Sequence, residues 1–304
     1  MTRIFDAEET AACLPYPDLA DSIRDVALSR SSGTVQAPPR LALPLPDGAV
    51  LLVMPAADGD LAITKLVTVH PENPGRGLPT IRGEVVVMEA STGTRLGLLD
   101  GATVTARRTA ALSLLAAREL APRPDGPLLI VGAGAQGRSH LEAFREGLGV
   151  SEAYVSSRTR EGAESLAAHA ETLGMDATVV EDPGEALAEA GLVVTATTSR
   201  GPVLPDRVTE GTFVAAVGSF QPEAAELPPG MISNATVVVD TMEGAGEEAG
   251  DLIQAENAGA FRWADATELE EVLRGRDRTR GTVVFKSVGH SLWDLAAART
   301  AFPR

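Results

Sequence analysis

The hexapeptide Gly132-Ala133-Gly134-Ala135-Gln136-Gly137 constrains this chain more than any other stretch. It follows the apolar run LLIV (128–131) and opens a segment with helical periodicity through 138–147. A G-x-G-x-x-G spacing in that strand-to-helix setting has a physical reading. Gly132 permits the tight turn, Gly134 lets a pyrophosphate approach the backbone, and Gly137 lets helix and strand pack closely. The helix N-terminus adds unpaired N–H groups and a partial positive charge. The plainer reading is a structural glycine turn; the strand before it and the helix after it favour a dinucleotide site.

The residues beyond 122 repeat the same alternation. AYVSSR (153–158), DATVV (176–180), LVVTATT (192–198), TFVAAVG (212–218) and ATVVVD (235–240) are nearly pure apolar runs, with helical segments over 160–173 and near 184–190. Strands buried on both faces need that composition. The expected fold is α/β, a Rossmann-type doubly wound parallel sheet, over residues 122–290. Earlier runs are instead separated by hairpin turns. RLALPLP (40–46) and AVLLVMP (49–55) flank Asp47-Gly48, and GEVVVMEA (83–90) and RLGLL (95–99) flank Ser91-Thr92-Gly93. With a helix over roughly 16–30, residues 1–121 form an α+β domain. A long helix at 102–120 stops at the proline- and glycine-rich 121–126, the expected linker. The terminal helix 291–302 lies outside the parallel unit and is expected to complete the first domain.

Composition narrows the partners. The 304 residues carry 26 basic and 42 acidic side chains, a net charge of −16, with no basic stretch to neutralise phosphates. That argues against nucleic acid or an anionic membrane. No apolar run approaches the ~18 residues of a membrane span, and the acidic N-terminal stretch does not read as a targeting segment, so a cytoplasmic protein is expected. Cys13, the single cysteine, excludes an internal disulfide and reads as a buried thiol of an N-terminal helix. Four scattered histidines lack metal-ligand spacing, so no metal site is expected.

The end of the second parallel strand bears on which dinucleotide is bound. An NAD site places Asp or Glu about 20 residues after the glycine turn, to bind the ribose 2′-hydroxyl. Here the strand ends Ser156-Ser157-Arg158-Thr159, and Arg158 can pair with a 2′-phosphate. NADP(H) is the expected cofactor; a solvated Arg158, with Glu161 reading the ribose, is the alternative. The expected cofactor contacts are Gly132, Gly134, Ala135, Gln136 and Gly137 in the turn, and Ser157, Arg158 and Thr159 beyond the second strand. Thr197, Val217, Ser287 and Gly289 join them at the ends of later strands.

Three basic residues of the first domain stand in unusual settings. Arg40 follows Pro38-Pro39, Arg108 lies in the domain-linking helix, and Lys65 lies within the apolar strand LAITKLVTV. Alternation puts Lys65 on one face with Ile63 and Val67. An inward lysine needs a compensating anion; the alternative is a surface lysine that snorkels to water. Only two cations of the whole chain are lysines, Lys65 and Lys286, against 24 arginines. Position 65 therefore reads as one that requires a compact ammonium. The role of Lys286, in the last parallel strand, is left open.

On these residues the chain resembles the ornithine cyclodeaminase/mu-crystallin family. The matching stretches include PPR (38–40), GDLAITKLVTVHPENPGRGLPT (59–80), ASTGTRLGLLDGATVTARRTAA (90–111), LLIVGAGAQGRSHLEAF (128–144) and FKSVGHSLWDLAAA (285–298). The resemblance implies a substrate and dimerisation domain, a Rossmann domain, and a homodimer. It also implies that Arg40, Lys65 and Arg108, assisted by Thr109, clamp the carboxylate of a small amino or imino acid. One departure is informative. Where the cyclodeaminases carry a catalytic Asp, counting back from Glu226-Leu227 puts Phe220. Without that carboxylate, deamination and ring closure lose the group that orients water and amine. Phe220 suits an apolar ring beside a nicotinamide, as in the ketimine reductase branch, which reduces Δ1-pyrroline-2-carboxylate and Δ1-piperideine-2-carboxylate. The expected catalytic set is Lys65, Arg108 and Phe220. His70 and His290 are candidate proton donors, and Asp240 is either a turn cap or a ligand contact. An amino-acid dehydrogenase, a cyclodeaminase and a non-catalytic binder of NADPH and ligand remain as alternatives.

Overall fold

A computed structural model describes residues 2–303 apart from 208 and 276–280. In chain order the first elements are β1 (Arg3–Ile4), α1 (Ala7–Ala12), α2 (Tyr16–Arg30), β2 (Leu41–Pro44), β3 (Val50–Ala57), β4 (Leu61–Val69), β5 (Ile81–Glu89) and β6 (Arg95–Asp100). The long helix α3 (Gly101–Leu120) leads to β7 (Leu128–Val131), α4 (Ala135–Leu148), β8 (Glu152–Ser156), α5 (Arg160–Thr172), β9 (Asp176–Val179), α6 (Pro183–Ala186), β10 (Leu192–Thr195) and β11 (Phe213–Ala216). Then come α7 (Pro229–Ser233), β12 (Thr236–Val239), α8 (Met242–Glu248), α9 (Gly250–Asn257), β13 (Thr267–Glu268), α10 (Leu269–Leu273), β14 (Val283–Lys286) and α11 (Ser291–Ala301).

Two compact units result: Met1–Arg108 with His290–Arg304, and Thr109–Gly289. The division falls within α3, because that helix runs unbroken through the point where contacts change partner; 121–126 is only the turn that follows it.

The first unit is a six-stranded sheet in the order β1-β6-β5-β4-β3-β2, antiparallel except for β1 beside β6. Both expected hairpins are present. One face of the sheet carries Met54, Ile63, Val67, Val85 and Val87, all buried, and α11 packs on α2 and across β3 and β4. The return of the terminal helix thus follows from an apolar sheet face that needs a cover. Cys13 differs from expectation. It is the C-cap residue of α1 and only partly buried, because the helix ends at Ala12.

The second unit is an eight-stranded, wholly parallel sheet in the order β13-β12-β14-β11-β10-β7-β8-β9. Neighbouring residues Leu129 and Ile130, Val193 and Val194, and Val284 and Phe285 point to opposite faces and are all buried. That is the signature of a sheet covered by helices on both sides. The stretch 241–273 folds into three short α-helices and a strand that the apolar-run pattern does not pick out.

Candidate active site

In the first unit, strand alternation carries Lys65 inward. It pairs in register with Met54 of β3 and Val85 of β5 on the buried face and is 2% exposed. The alternative of a snorkelling surface lysine is thereby removed. Its anion is Asp294 of α11, itself fully buried, whose two oxygens lie 2.9 and 2.8 Å from Lys65 Nζ. Arg108 of α3 approaches the same carboxylate, with Nε 3.6 Å from Oδ1. Arg40 stands at the start of β2, where Pro38-Pro39 restrict the chain, close enough for its charge to act on Lys65. Burial pulls the Lys65 ammonium down to about 8; Asp294 opposes the shift, and the Arg108 and Arg40 charges add to it.

Lys65 and Arg108 thus share the Asp294 carboxylate, with the Arg40 charge close by. The Nε and Nη1 of Arg108 are buried and have no hydrogen-bond partner. Buried guanidinium donors left open are costly, so Arg108 retains the capacity to bind a further acceptor. A carboxylate, with two oxygens and up to four lone-pair sites, matches what the cluster lacks. Thr109, the next residue of α3, is buried as well. Asp294 was not picked out from sequence. Its signal was a lone acid within the apolar helix SLWDLAAA, a position that calls for a buried cation elsewhere.

In the second unit the glycine turn has the geometry its spacing requires. Gly132 has φ +116°, and a Cβ there would strike the Ala196 carbonyl. A Cβ on Gly137 would run into the carbonyl of Gly132. Gly134 is different: nothing lies within 4 Å of its ideal Cβ, and as N-cap of α4 it offers no side-chain cap. An open cradle before an uncapped fourteen-residue helix fits a pyrophosphate, with Ala135 and Gln136 in the first turn. The second strand end adjoins it. Gly132 N–H donates to Ser156 O at 2.8 Å, and the Gly162 Cβ position lies between Ser157 Oγ and Ala133. Arg158 is exposed, and Thr159 caps α5 by accepting from Gly162 N–H.

Behind this turn His140 is fully buried. Its Nδ1 donates to Gln136 O and its Nε2 accepts from Ser113, and burial pulls it down to about 4, so it is a neutral strut between α4 and α3. At the later strand ends, buried carboxylates engage residues expected to meet the cofactor. Asp240 accepts from Thr241 N–H, Ser287 Oγ and Gly289 N–H, so it caps the turn. Glu226 accepts from Thr197 N–H and from Gly218 N–H, beside Val217. Lys286 is fully buried, paired with Asp251 at 2.7 Å, and donates to Ser219 O at 2.6 Å. Phe220, the next residue, is 44% exposed. His290 is the N-cap of α11, its Nδ1 accepting from Leu292 N–H, and His70 follows β4 in a turn.

Known proteins share this architecture. The Δ1-pyrroline-2-carboxylate reductase 1 of Burkholderia multivorans is 41% identical over 99% of this chain and 95% of its own length. The Δ1-pyrroline-2-carboxylate/Δ1-piperideine-2-carboxylate reductase of Azospirillum brasilense is 40% identical, over 98% of this chain and 94% of its own. Among solved structures, Thermococcus litoralis Δ1-pyrroline-2-carboxylate reductase in complex with NADH and L-proline superposes with a TM-score of 0.92. That pair is 29% identical, covering 99% of this chain and 96% of the other. A family profile matches residues 3–304, nearly the whole sequence. The chain belongs to the ornithine cyclodeaminase/mu-crystallin family.

Proposed function

We propose that this protein is an oxidoreductase that reduces a cyclic ketimine carboxylate, Δ1-pyrroline-2-carboxylate or Δ1-piperideine-2-carboxylate, to L-proline or L-pipecolate with NADPH. The observation that carries the reading is the buried Lys65–Asp294–Arg108 cluster with the open donors of Arg108, beside which the Arg40 charge stands. The 40–41% identity to pyrroline-carboxylate reductases over almost the full length supports the same chemistry. A reduced nicotinamide, when bound, would supply the hydride. Arg108 and Arg40 grip the substrate carboxylate with planar forks, and Lys65 adds a compact charge that Asp294 holds in place. That grip fixes the ring so that its C=N carbon accepts hydride while the nitrogen, protonated from solution, takes the electron pair of the C=N π bond. Phe220 supplies an apolar surface in place of the carboxylate that deamination needs.

Arg158, with Ser157 beside it and no carboxylate at the strand end, supports NADPH over NADH. The NADH in the Thermococcus litoralis complex leaves that choice to measurement. Absorbance of reduced nicotinamide, followed with each cofactor and each ketimine, is the test. Turnover of at least one ring, faster with NADPH, is expected. No turnover with either ring removes the proposal. Release of ammonia and proline from ornithine replaces it with a cyclodeaminase, and a faster reaction with NADH reverses the cofactor assignment.

A further inference from the structure

The buried charges of the second unit form a network that the proposed chemistry does not use. Glu226 is fully buried, and both of its oxygens are occupied. Oε1 accepts from Thr197 N–H at 2.6 Å, just past the end of β10. Oε2 accepts from Gly218 N–H at 2.8 Å, just past the end of β11, and from Thr195 Oγ1 at 3.0 Å. Glu226 is held in turn. Its own N–H and that of Leu227 donate to Asp251 Oδ1 at 2.5 and 2.9 Å, while Asp251 Oδ2 pairs with Lys286 at the end of β14. Lys286 closes the loop by donating to Ser219 O. Glu226 therefore ties the ends of β10 and β11 directly, and Asp251 with Lys286 joins the end of β14 to them. Gly218 has no space for a Cβ, which would collide with the Thr197 backbone and the Glu226 carboxylate.

The location gives the network its meaning. In a doubly wound sheet the ligand lies outside the carboxyl ends of the strands, one half of a dinucleotide over each half of the sheet. β7 and β8 carry the glycine turn and Ser157, the seats of the pyrophosphate and the adenosine ribose. β10 and β11 are the next two strands on the other side. At 4.7–4.9 Å per strand, the end of β11 lies roughly 9–10 Å from the glycine turn, within reach of the second nucleoside.

We propose that Glu226 is a positioning residue for the nicotinamide: its two oxygens lock the ends of β10 and β11 at the separation that seats the ring. This rests on the reading that the unit binds a nicotinamide dinucleotide. The chemistry requires a carboxylate. Three donors converge on two oxygens, and a carboxamide of the same shape would turn an NH2 group towards one of the two backbone N–H groups. Burial pushes the Glu226 carboxyl up, with Lys286 opposing, so the anion depends on the ammonium beside it.

The test compares full-length wild type, Glu226→Gln and the near-isosteric Thr195→Val by calorimetric titration. The ligands are whichever of NADP+ and NAD+ the wild type binds, and its nicotinamide-free counterpart, 2′-phospho-ADP-ribose or ADP-ribose. Glu226→Gln should bind the dinucleotide about tenfold or more weakly, yet change the counterpart by less than about twofold. Thr195→Val should show the same selectivity at about two- to fivefold, and it decides the matter if Glu226→Gln does not fold. Equal weakening of both ligands would mark a merely structural role and overturn the inference; so would wild-type affinity in the variants. A wild type that binds neither ligand overturns the cofactor reading and this inference with it.

Discussion

Lys65 shows how one residue can be both readable and incomplete in a sequence. A strand has two faces, and Ile63 and Val67 identify which of them Lys65 shares, so its inward direction follows from a period of two. Its partner does not, because Asp294 lies 229 residues away and no local pattern links them. The consequence is a lysine whose charge is not assured. Free Lys65 titrates at about 8, and a carboxylate bound beside it favours the charged form, raising that value in the complex. Affinity for a carboxylate ligand is therefore full below about 8 and falls as pH rises towards the pKa of the complex. Pyrrole-2-carboxylate, whose ring nitrogen does not titrate in this range, is a suitable probe. Its dissociation constant should increase up to about tenfold per pH unit above that point, and Lys65→Met should flatten the profile. An unchanged constant from pH 7 to 10 would show that Lys65 does not carry the grip. Glu226, Asp251 and His140 were illegible for the same reason as Asp294: each is a polar residue defined by a partner distant in the chain.

At the scale of elements, legibility follows repetition. β7 and β11 are unbroken apolar runs, β10 is one but for Thr195, and all three fall where expected, while the glycine turn places β7 against α4. The stretch 241–273 lacks such runs; its helices have five to eight residues, too short for a period of 3.6 to stand out. The turn itself yields a sharp contrast with the Glu226 network. Gly137→Ala would drive a methyl group into the Gly132 carbonyl and force α4 away from β7. Urea denaturation should show a loss of about 1–3 kcal/mol. Unlike Glu226→Gln, this substitution should weaken the dinucleotide and its nicotinamide-free counterpart alike. Selective loss of the dinucleotide alone would mean that the pyrophosphate is seated elsewhere.

For the whole molecule, the net charge of −16 misdescribes the place where chemistry is proposed. Acidic residues dominate in number, while buried Lys65 and Arg108 around Asp294, with the Arg40 charge nearby, make a positive cluster. The outer face of the first sheet makes a second whole-molecule statement. Leu41 and Leu43 of β2 and Leu66 of β4 point away from the core and are 58%, 50% and 40% exposed. We propose that a second copy of the chain covers this patch, giving the homodimer that the family resemblance implies. Light scattering should give a mass of two chains for the wild type and one for the double variant Leu43→Glu/Leu66→Glu. A dimeric double variant would move the interface elsewhere, and a monomeric wild type would remove it. Among the described residues no helix is long and apolar enough to cross a membrane.

The ion pair between β4 and α11 also has a consequence in time. A ribosome adding roughly 5–20 residues per second separates Lys65 from Asp294 by on the order of ten to fifty seconds. The parallel sheet, contiguous in the chain, emerges whole in that interval. The first sheet cannot be completed before then, because its covering helix and the counter-ion of its buried lysine follow the parallel sheet in the chain. Arg299, five residues after Asp294, makes a second late pair by closing on Asp58 at 2.6 Å. Until both arrive, the nascent sheet holds an ammonium facing an uncovered apolar surface, a state that favours hydration over burial. Birth order thus makes the Lys65–Asp294 pair a late feature of the first unit, formed only after the strands of the parallel sheet have had the opportunity to fold.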